Sequence, residues 1–343
     1  MFQLIKFKNE ACSGSASRNG TCYTSDECAS KGGTSSGTCA QGYGVCCIFT
    51  LSCGGKSSEN CTYLVQSTTS NPSFNPCTFT ICKCSSNICR IRLDFVNFSI
   101  AGPSVGTASS RVVASIGGSI GDCTTDTFSV TAPKNMGSPI ICGFNTGQHM
   151  ILDASDKCHK AAFDFGRSGI NRQFDIKVTQ YACGDENGGP DGCLQYFTGN
   201  TGTFASFNFP TSSSTVASTV THLSNQCYTI CFRQEQGKCA ICYSTVIMGT
   251  AAAIDQGSFG LSKSSLNSAA KGRQDTGCDT DYLQEHDFGC SHLVSAQQRP
   301  FRVIFKTDGD EDAIGISSAT ANEQGQLPGG IIGFHLNFAL QDC

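Results

Sequence analysis

The sequence predicts an all-β protein, in which two related β-sandwich modules follow a small disulfide-linked module. Three observations support this prediction. Cysteine is unusually frequent, at 24 of 343 residues. Residues 88–98 alternate apolar and polar side chains with a period of two, which indicates a half-buried strand. The pattern F-x-[IL]-x-[VF]-x4-C occurs at residues 174–183 and again at 334–343, which indicates an internal repeat. The alternating strand places three apolar side chains on one face: Ile91, Leu93 and Phe95.

The composition predicts a secreted, extracellular protein. Charged residues are only 15% of the chain and the net charge is −4, so there is no basic surface for nucleic acid. No window of eighteen consecutive apolar residues occurs, so we expect no membrane span. The cysteine count is even, and 12 of the 24 fall within the first 89 residues, as is typical of an oxidising compartment. We therefore predict up to twelve disulfides.

The first element, residues 1–52, is predicted to be a module held by cross-links; we call it the N-terminal module. It has almost no apolar residues between its cysteines, so disulfides worth about 2–4 kcal/mol each must supply its stability. Six cysteines predict three internal bridges: Cys12, Cys22, Cys28, Cys39, Cys46 and Cys47. An apolar, strand-forming segment precedes them and contains Phe2, Leu4, Ile5 and Phe7.

The second and third elements are predicted to be two copies of one β module: module 1, residues 53–182, and module 2, residues 183–343. Besides the repeated closing strand, both copies contain the step C-x-x-D. In module 1 this step ends at Asp126 and begins 60 residues before Cys183; in module 2 it ends at Asp281 and begins 65 residues before Cys343. The matched spacing supports a duplication.

Three N-glycosylation sequons agree with secretion. They begin at Asn19, Asn60 and Asn97. Asn60 is the weakest candidate, because the middle residue of its sequon is Cys61, which is itself expected to form a disulfide. We expect a glycan on at least one of the three.

These motifs together resemble the CUB domain. Module 1 shows Cys53-Gly54-Gly55, Leu93-Asp94-Phe95, the C-x-x-D step and Ile141-Cys142-Gly143. Module 2 shows Cys193-Leu194-Gln195-Tyr196-Phe197-Thr198-Gly199, Cys278-x-x-Asp281-Tyr282 and Pro300-Phe301-Arg302-Val303. The whole chain is similar to a group of secreted arthropod proteins with CUB-like modules, and the N-terminal module resembles a clip domain in its terminal Cys-Cys pair. The resemblance implies two jelly-roll sandwiches of antiparallel sheets, used for contact with proteins and glycans.

The resemblance also implies a calcium site, which these sequences only partly retain. Asp126 matches one ligand in module 1, but the other two carboxylate positions carry no carboxylate. Module 2 retains Asp281 and Asp308 and lacks the first ligand, so calcium there would be weakly held by carbonyls and water. The resemblance further implies a disulfide between Cys123 and Cys142. We also expect a bridge between Cys231 and Cys239, across the turn at residues 234–237.

We interpret no motif of this chain as catalytic. H-E-x-x-H does not occur, and the segments Gly166-Arg167-Ser168-Gly169 and Gly257-Ser258-Phe259-Gly260 fall short of G-x-S-x-G by spacing and show no partner residue. Cys82-Lys83-Cys84 and the C-x-x-C at 239–242 have redox spacing, but structural cross-links are the favoured interpretation in a secreted all-β chain. We expect a protein that is not an enzyme and has no cofactor except, at most, calcium.

Two functions fit these features. The favoured one is extracellular protein–protein assembly or adhesion, including self-assembly into filaments if Phe2, Leu4, Ile5 and Phe7 add a strand to a neighbouring molecule. The same segment can instead pair within its own molecule. The alternative function is a soluble recognition module that binds a glycan or protein ligand with weak calcium dependence.

Overall fold

The chain is almost entirely β-strand in the ranges that the structure describes. This computed structural model describes residues 6–15, 18–72, 74–104, 120–166, 169–213, 220–248, 258–261, 281–285, 301–309 and 332–343. These ranges hold twenty strands, one short α-helix, and 3-10 turns at Ala40–Gly42 and Glu186–Gly188. No helix within them is long and apolar enough to cross a membrane. The prediction of an all-β fold is confirmed.

The N-terminal module is a small sheet tied together by three disulfides. Its elements are β1 (Ala11–Ser13), β2 (Asn19–Tyr23), α1 (Ser25–Ser30), β3 (Thr34–Cys39) and β4 (Gly44–Leu51). Thr24 caps the helix, because its hydroxyl accepts the Glu27 amide at 3.2 Å. The bridges join Cys12 to Cys46, Cys22 to Cys39 and Cys28 to Cys47.

Module 1 is a sandwich of two sheets. Its strands are β5 (Lys56–Ser57), β6 (Thr62–Thr69), β7 (Cys77–Ile81), β8 (Ile88–Ser99), β9 (Asp126–Thr131), β10 (His149–Asp153), β11 (His159–Phe165) and β12 (Arg172–Ala182). One sheet has the order β5-β7-β11-β9; the other contains β6-β12-β8-β10. Ile91, Leu93 and Phe95 of β8 are all buried, as their alternation predicts. The residues between the sheets belong to a core dominated by phenylalanine.

The N-terminal module continues the sheet of module 1. Strand β4 pairs in parallel with β6, which gives the order β1-β2-β4-β6-β12-β8-β10, with β3 beside β4. Arg18 lies 4.6 Å above the Tyr63 ring and forms an ion pair with Asp175 at 2.5 Å. The predicted division near residue 52 therefore separates two parts of one sheet.

Module 2 repeats the two-sheet arrangement. Its strands are β13 (Gln195–Phe197), β14 (Thr201–Ala205), β15 (Cys227–Phe232), β16 (Lys238–Thr245), β17 (Phe259–Gly260), β18 (Tyr282–Glu285), β19 (Phe301–Lys306) and β20 (Gly333–Asp342). The sheets have the orders β13-β15-β19-β18 and β14-β20-β16, with β17 beside β20. The two repeat strands are equivalent, because β12 and β20 each lie between two partner strands of their sheet.

The described residues contain six further disulfides. They join Cys53 to Cys77, Cys82 to Cys158, Cys89 to Cys183, Cys123 to Cys142, Cys193 to Cys231, and Cys239 to Cys343. The predicted bridge between Cys231 and Cys239 is wrong. These residues follow one another in sequence, but Cys231 is in β15 and Cys239 is in β16, which belong to different sheets. Cys183 bonds to Cys89 of β8 and therefore closes module 1.

Four of the described cysteines form no disulfide: Cys61, Cys84, Cys227 and Cys242. Neither redox spacing produces a local pair, because Cys82 and Cys239 bond to distant partners. Burial raises the pKa of the Cys61 and Cys84 thiols. A raised pKa keeps a thiol protonated and weakly nucleophilic near neutral pH, so these two cysteines are not activated as nucleophiles.

Candidate functional site

The loop end of module 1 is organised around a buried ion pair. Asp126 begins β9 and Arg172 begins β12, and both side chains are fully buried. Arg172 Nε donates to Asp126 Oδ2 at 2.7 Å, and Arg172 Nη2 donates to Asp126 Oδ1 at 2.8 Å. The backbone amide of Ala101 donates to Oδ2 at 2.9 Å, and that of Gly166 donates to Oδ1 at 3.0 Å. Each carboxylate oxygen thus accepts two hydrogen bonds.

This arrangement does not fit a calcium ligand. A carboxylate offers about four lone-pair positions, and all four at Asp126 are occupied by donors. Calcium takes six to eight oxygens, but Ile100 and Ala101 occupy the region where the resemblance expects a carboxylate. No group of three His, Cys, Asp or Glu side chains among the described residues is arranged to hold a metal ion. Asp126 binds Arg172 in this structure, so the residues around it do not fit the calcium site that the resemblance implies.

The corresponding end of module 2 brings the two predicted aspartates together. The Asp308 amide donates to Asp281 Oδ1 at 2.8 Å, and Asp281 is buried. The preceding residue, Thr307, accepts the Gln226 amide at 2.9 Å and donates to the Leu223 carbonyl at 2.7 Å. The acidic run after Gly309 lies outside the described residues. Calcium at Asp281 and Asp308 stays a prediction.

The two modules meet through hydrogen bonds and a shared core. The Ile151 amide of module 1 donates to the Leu194 carbonyl of module 2 at 2.7 Å. In the other direction, the Tyr196 amide donates to His149 Nε2 at 2.9 Å. The apolar core is continuous across this junction, with Phe95 and Phe207 6.4 Å apart between ring centroids. The sequence repeat predicts two modules but gives no sign that they share a core.

A loop of module 1 fits closely against a loop of module 2 at the same junction. The Asn208 amide donates to Asn145 Oδ1 at 2.8 Å, and the Phe144 amide donates to Asn208 Oδ1 at 3.2 Å. Gly143 has φ +77°, and a Cβ atom there would lie 1.8 Å from Asn208 Oδ1. Only glycine fits this position, because it accepts the left-handed conformation and leaves room for Asn208.

Burial of His149 makes the junction sensitive to acid. Burial, with a smaller effect from the Arg92 charge, lowers the pKa of His149 well below its usual value. Its Nε2 accepts the Tyr196 amide, so the neutral ring carries its proton on Nδ1. A protonated ring could not accept this bond. Burial also lowers the pKa of His159 and His335.

We predict that stability falls as the pH drops below about 6.5. Below this pH the histidines of the unfolded chain bind protons, whereas the buried histidines of the folded chain stay neutral. Each such histidine therefore lowers the free energy of unfolding by up to about 1.4 kcal/mol per pH unit, until the pH reaches its pKa in the folded state. Thermal unfolding between about pH 7 and pH 5 measures this slope. His149→Gln keeps an acceptor for the Tyr196 amide and should give a shallower slope. An unchanged slope in this variant would exclude His149 as a source.

The three sequons have different environments. Asn19 is exposed, and Asn97 is half-buried beside the exposed Val96. Asn60 is engaged on both sides of its amide: Oδ1 accepts the Gln180 and Cys61 amides at 2.8 Å, and Nδ2 donates to the Gln180 carbonyl at 3.1 Å. The Asn60 side-chain amide thus forms the pair of hydrogen bonds with Gln180 that the backbone of a neighbouring strand would form.

We predict glycans at Asn19 and Asn97 and none at Asn60, whose amide nitrogen is held against the backbone of β12. Enzymatic deglycosylation in heavy-oxygen water, followed by mass spectrometry of the secreted protein, should label the first two positions as aspartate. Asn19→Gln and Asn97→Gln should each remove one glycan from the intact mass. Labelling of Asn60 would contradict this assignment.

One part of this fold matches a known protein family. Residues 190–288, within module 2, match the model of the animal CUB domain, a class that typically mediates protein–protein contact rather than catalysis. No curated protein sequence matches the chain significantly.

Several solved structures align with the chain, and three of them are described here. The CUB1-EGF-CUB2 domains of rat MASP-1 align over 84% of this chain and 99% of theirs, with 12% identity and a TM-score of 0.24. The corresponding domain of human MASP-1/3 aligns over 81% and 98%, with 13% identity and a TM-score of 0.26. The extracellular region of zebrafish Gpr126/Adgrg6 aligns over 86% and 36%, with 12% identity and a TM-score of 0.26.

Proposed function

We propose that this protein is a secreted, non-enzymatic protein of extracellular assembly or adhesion, which presents the loops of two CUB-type modules as one rigid unit. The observation that carries the proposal is the junction. Hydrogen bonds run across it in both directions at Ile151, His149 and Asn145, and one apolar core extends through both modules. A fixed spacing between two sets of loops suits recognition of a large partner, because little freedom is lost on binding.

The covalent framework supports a role outside the cell. The described residues contain nine disulfides, and two of them, Cys89–Cys183 and Cys239–Cys343, fasten the last residue of a repeat to a neighbouring strand. Disulfides persist in oxidising surroundings, and they stabilise the folded protein because they restrict the unfolded chain. This framework agrees with a long-lived extracellular component.

Self-assembly through the N-terminal segment is the finer part of this proposal. Phe2, Leu4 and Ile5 lie outside the described residues. Residues 6–10 form no strand, and a Cβ on Gly44 would lie 3.0 Å from Phe7 Cζ, so the Phe7 ring lies against its own module. Phe7 thus has a contact within its own molecule, and its part in assembly stays a prediction. Strand addition to a neighbour would depend on residues 1–5.

Deletion of residues 1–5 tests self-assembly, because it leaves Phe7 in place. We expect the full chain to form oligomers or filaments, measured by light scattering and electron microscopy, and the deleted chain to be a folded monomer. Phe7→Ala serves as the matched control and should still assemble. Equal assembly with and without residues 1–5 would refute strand addition.

Glycan binding is a second candidate, supported by one groove of module 1. This groove of about 370 Å³ is lined by Ser52, Cys53, Val65, Gln66, Ser67, Thr68, Thr69, Asn71 and Phe74. The Phe74 side chain is 59% exposed, and the buried Gln66 Nε2 has no hydrogen-bond partner among the described residues. An aromatic ring beside hydroxyl and amide groups suits a sugar ring with its hydroxyls.

A binding screen separates the two functions. The chain, displayed as a multivalent probe, is applied to an array of extracellular protein domains and to a glycan array, each in calcium and in EDTA. The main proposal predicts a protein partner whose binding is retained by Phe74→Ala. Binding only to glycans, with loss in Phe74→Ala, would replace it with the second candidate.

A further inference from the structure

We propose that the Arg172 guanidinium is the resident cation of module 1: it takes the place of a divalent ion and makes the loop end of this module independent of calcium. The resemblance to CUB domains implies a metal at Asp126, and the residues present do not fit one. The inference goes beyond the proposed function, because it holds whichever partner the protein binds.

The guanidinium has the oxygen environment that a hard cation would have. Besides both Asp126 oxygens, Arg172 Nη1 donates to the Ser70 carbonyl at 3.3 Å and to the Ile170 carbonyl at 3.2 Å. Carboxylate and carbonyl oxygens are also the ligands that calcium prefers. The Phe165 ring lies 5.2 Å from the guanidinium carbon, a cation–π distance. A second cation bound to these oxygens would be repelled by the positive charge of Arg172.

The ion pair holds several loops at once. Ala101 follows β8 and Gly166 follows β11, and both donate backbone amides to Asp126. Ser70 follows β6 and Ile170 precedes β12, and both accept from Arg172. The charges therefore organise the ends of strands from both sheets of module 1. A bound metal usually performs this task reversibly, whereas an arginine performs it permanently.

The repeat has an arginine at this position in module 1 and an isoleucine in module 2. Arg172 stands two residues before Phe174, and Ile332 stands two residues before Phe334 at the equivalent position of module 2. The aspartate of the C-x-x-D step is retained in both modules, as Asp126 and Asp281. Ile332 is buried and apolar, so module 2 carries no cation at this position. An effect of calcium on this chain is expected in module 2.

Hydrogen exchange of the full chain tests the inference at the loops themselves. The Ala101 and Gly166 amides should exchange at the same slow rate in EDTA and in millimolar calcium. In Arg172→Ala both should exchange roughly ten-fold faster or more, because the carboxylate that accepts them loses its counter-charge. Ethylguanidinium, which resembles the missing side-chain end, should slow them again. Arg233→Ala, which breaks a partly exposed ion pair in module 2, is the matched control and should leave both amides unchanged.

The wild-type measurement decides the question even if Arg172→Ala fails to fold. Equal protection of Ala101 and Gly166 in EDTA and calcium is the expected result. Protection that is lost in EDTA and restored by calcium would overturn the inference, as would unchanged protection in a folded Arg172→Ala protein. Neither result depends on whether a protein or glycan partner is found, so failure here is distinct from failure of the proposed function.

Discussion

Replacement of Arg172 by methionine should lower the free energy of unfolding by about 3–5 kcal/mol, because it leaves the Asp126 carboxylate charged, buried and without its counter-ion. Both side chains of this pair are fully buried, so solvent cannot compensate. Methionine fills much of the same volume, which separates the loss of charge from the creation of a cavity. Chemical denaturation, monitored by tyrosine fluorescence, measures the change.

A double variant identifies the cause of this loss. In Arg172→Met/Asp126→Asn the carboxylate is replaced by a neutral amide that still accepts a hydrogen bond, so the double variant should be more stable than Arg172→Met alone. Such non-additivity is expected only of residues that interact directly. If the two losses simply add, the pair does not act as a unit.

Replacement of Gly143 by alanine should have the second largest effect, about 3 kcal/mol. A non-glycine residue in the left-handed region costs about 1–2 kcal/mol. The new Cβ would also displace the Asn208 side chain, which accepts the Phe144 amide and donates to the Thr221 carbonyl at 2.8 Å. Each hydrogen bond lost adds about 1 kcal/mol. Thermal and chemical unfolding measure the total.

Gly147→Ala is a matched control in the same loop. Gly147 has φ +85°, and a Cβ atom there would meet nothing within 4 Å. Gly147→Ala has the conformational cost of a non-glycine residue at positive φ but no steric contact with Asn208. The difference in the free energy of unfolding between the two variants therefore gives the contribution of the junction. Equal losses for Gly143→Ala and Gly147→Ala would mean that contact with Asn208 stabilises nothing.

The sequence predicts the buried face of a strand wherever apolar and polar side chains alternate. The period-two pattern of β8 and the repeated closing strands predict the buried faces, because each strand of a sandwich has one face in the core. The same rule could have revealed Arg172. It lies on the inward parity of β12 with Phe174, Ile176 and Val178, and an arginine at such a position requires a buried carboxylate. The calcium-site pattern includes the aspartate and gives no sign of the arginine that binds it.

Contacts between distant segments were not predictable from the sequence. Cys231 and Cys239 are close in sequence, which suggested a hairpin, but the chain crosses between the sheets at residues 233–237. The parallel pairing of β4 with β6 joins the N-terminal module to module 1 without a motif in either strand. The junction depends on Gly143 and Asn208, two common residues whose roles appear only when their loops meet.

The most direct test of the central claim, that the two modules form one rigid unit, is residue-resolved hydrogen exchange across their junction. The amides of Ile151, Tyr196 and Asn208 each donate to an acceptor on the other module. We predict that they exchange as slowly as the amides in the middle of β12, because they open only when the core opens. Fast exchange of these three amides beside slow exchange in both sandwiches would show that the modules move independently, and would contradict the account.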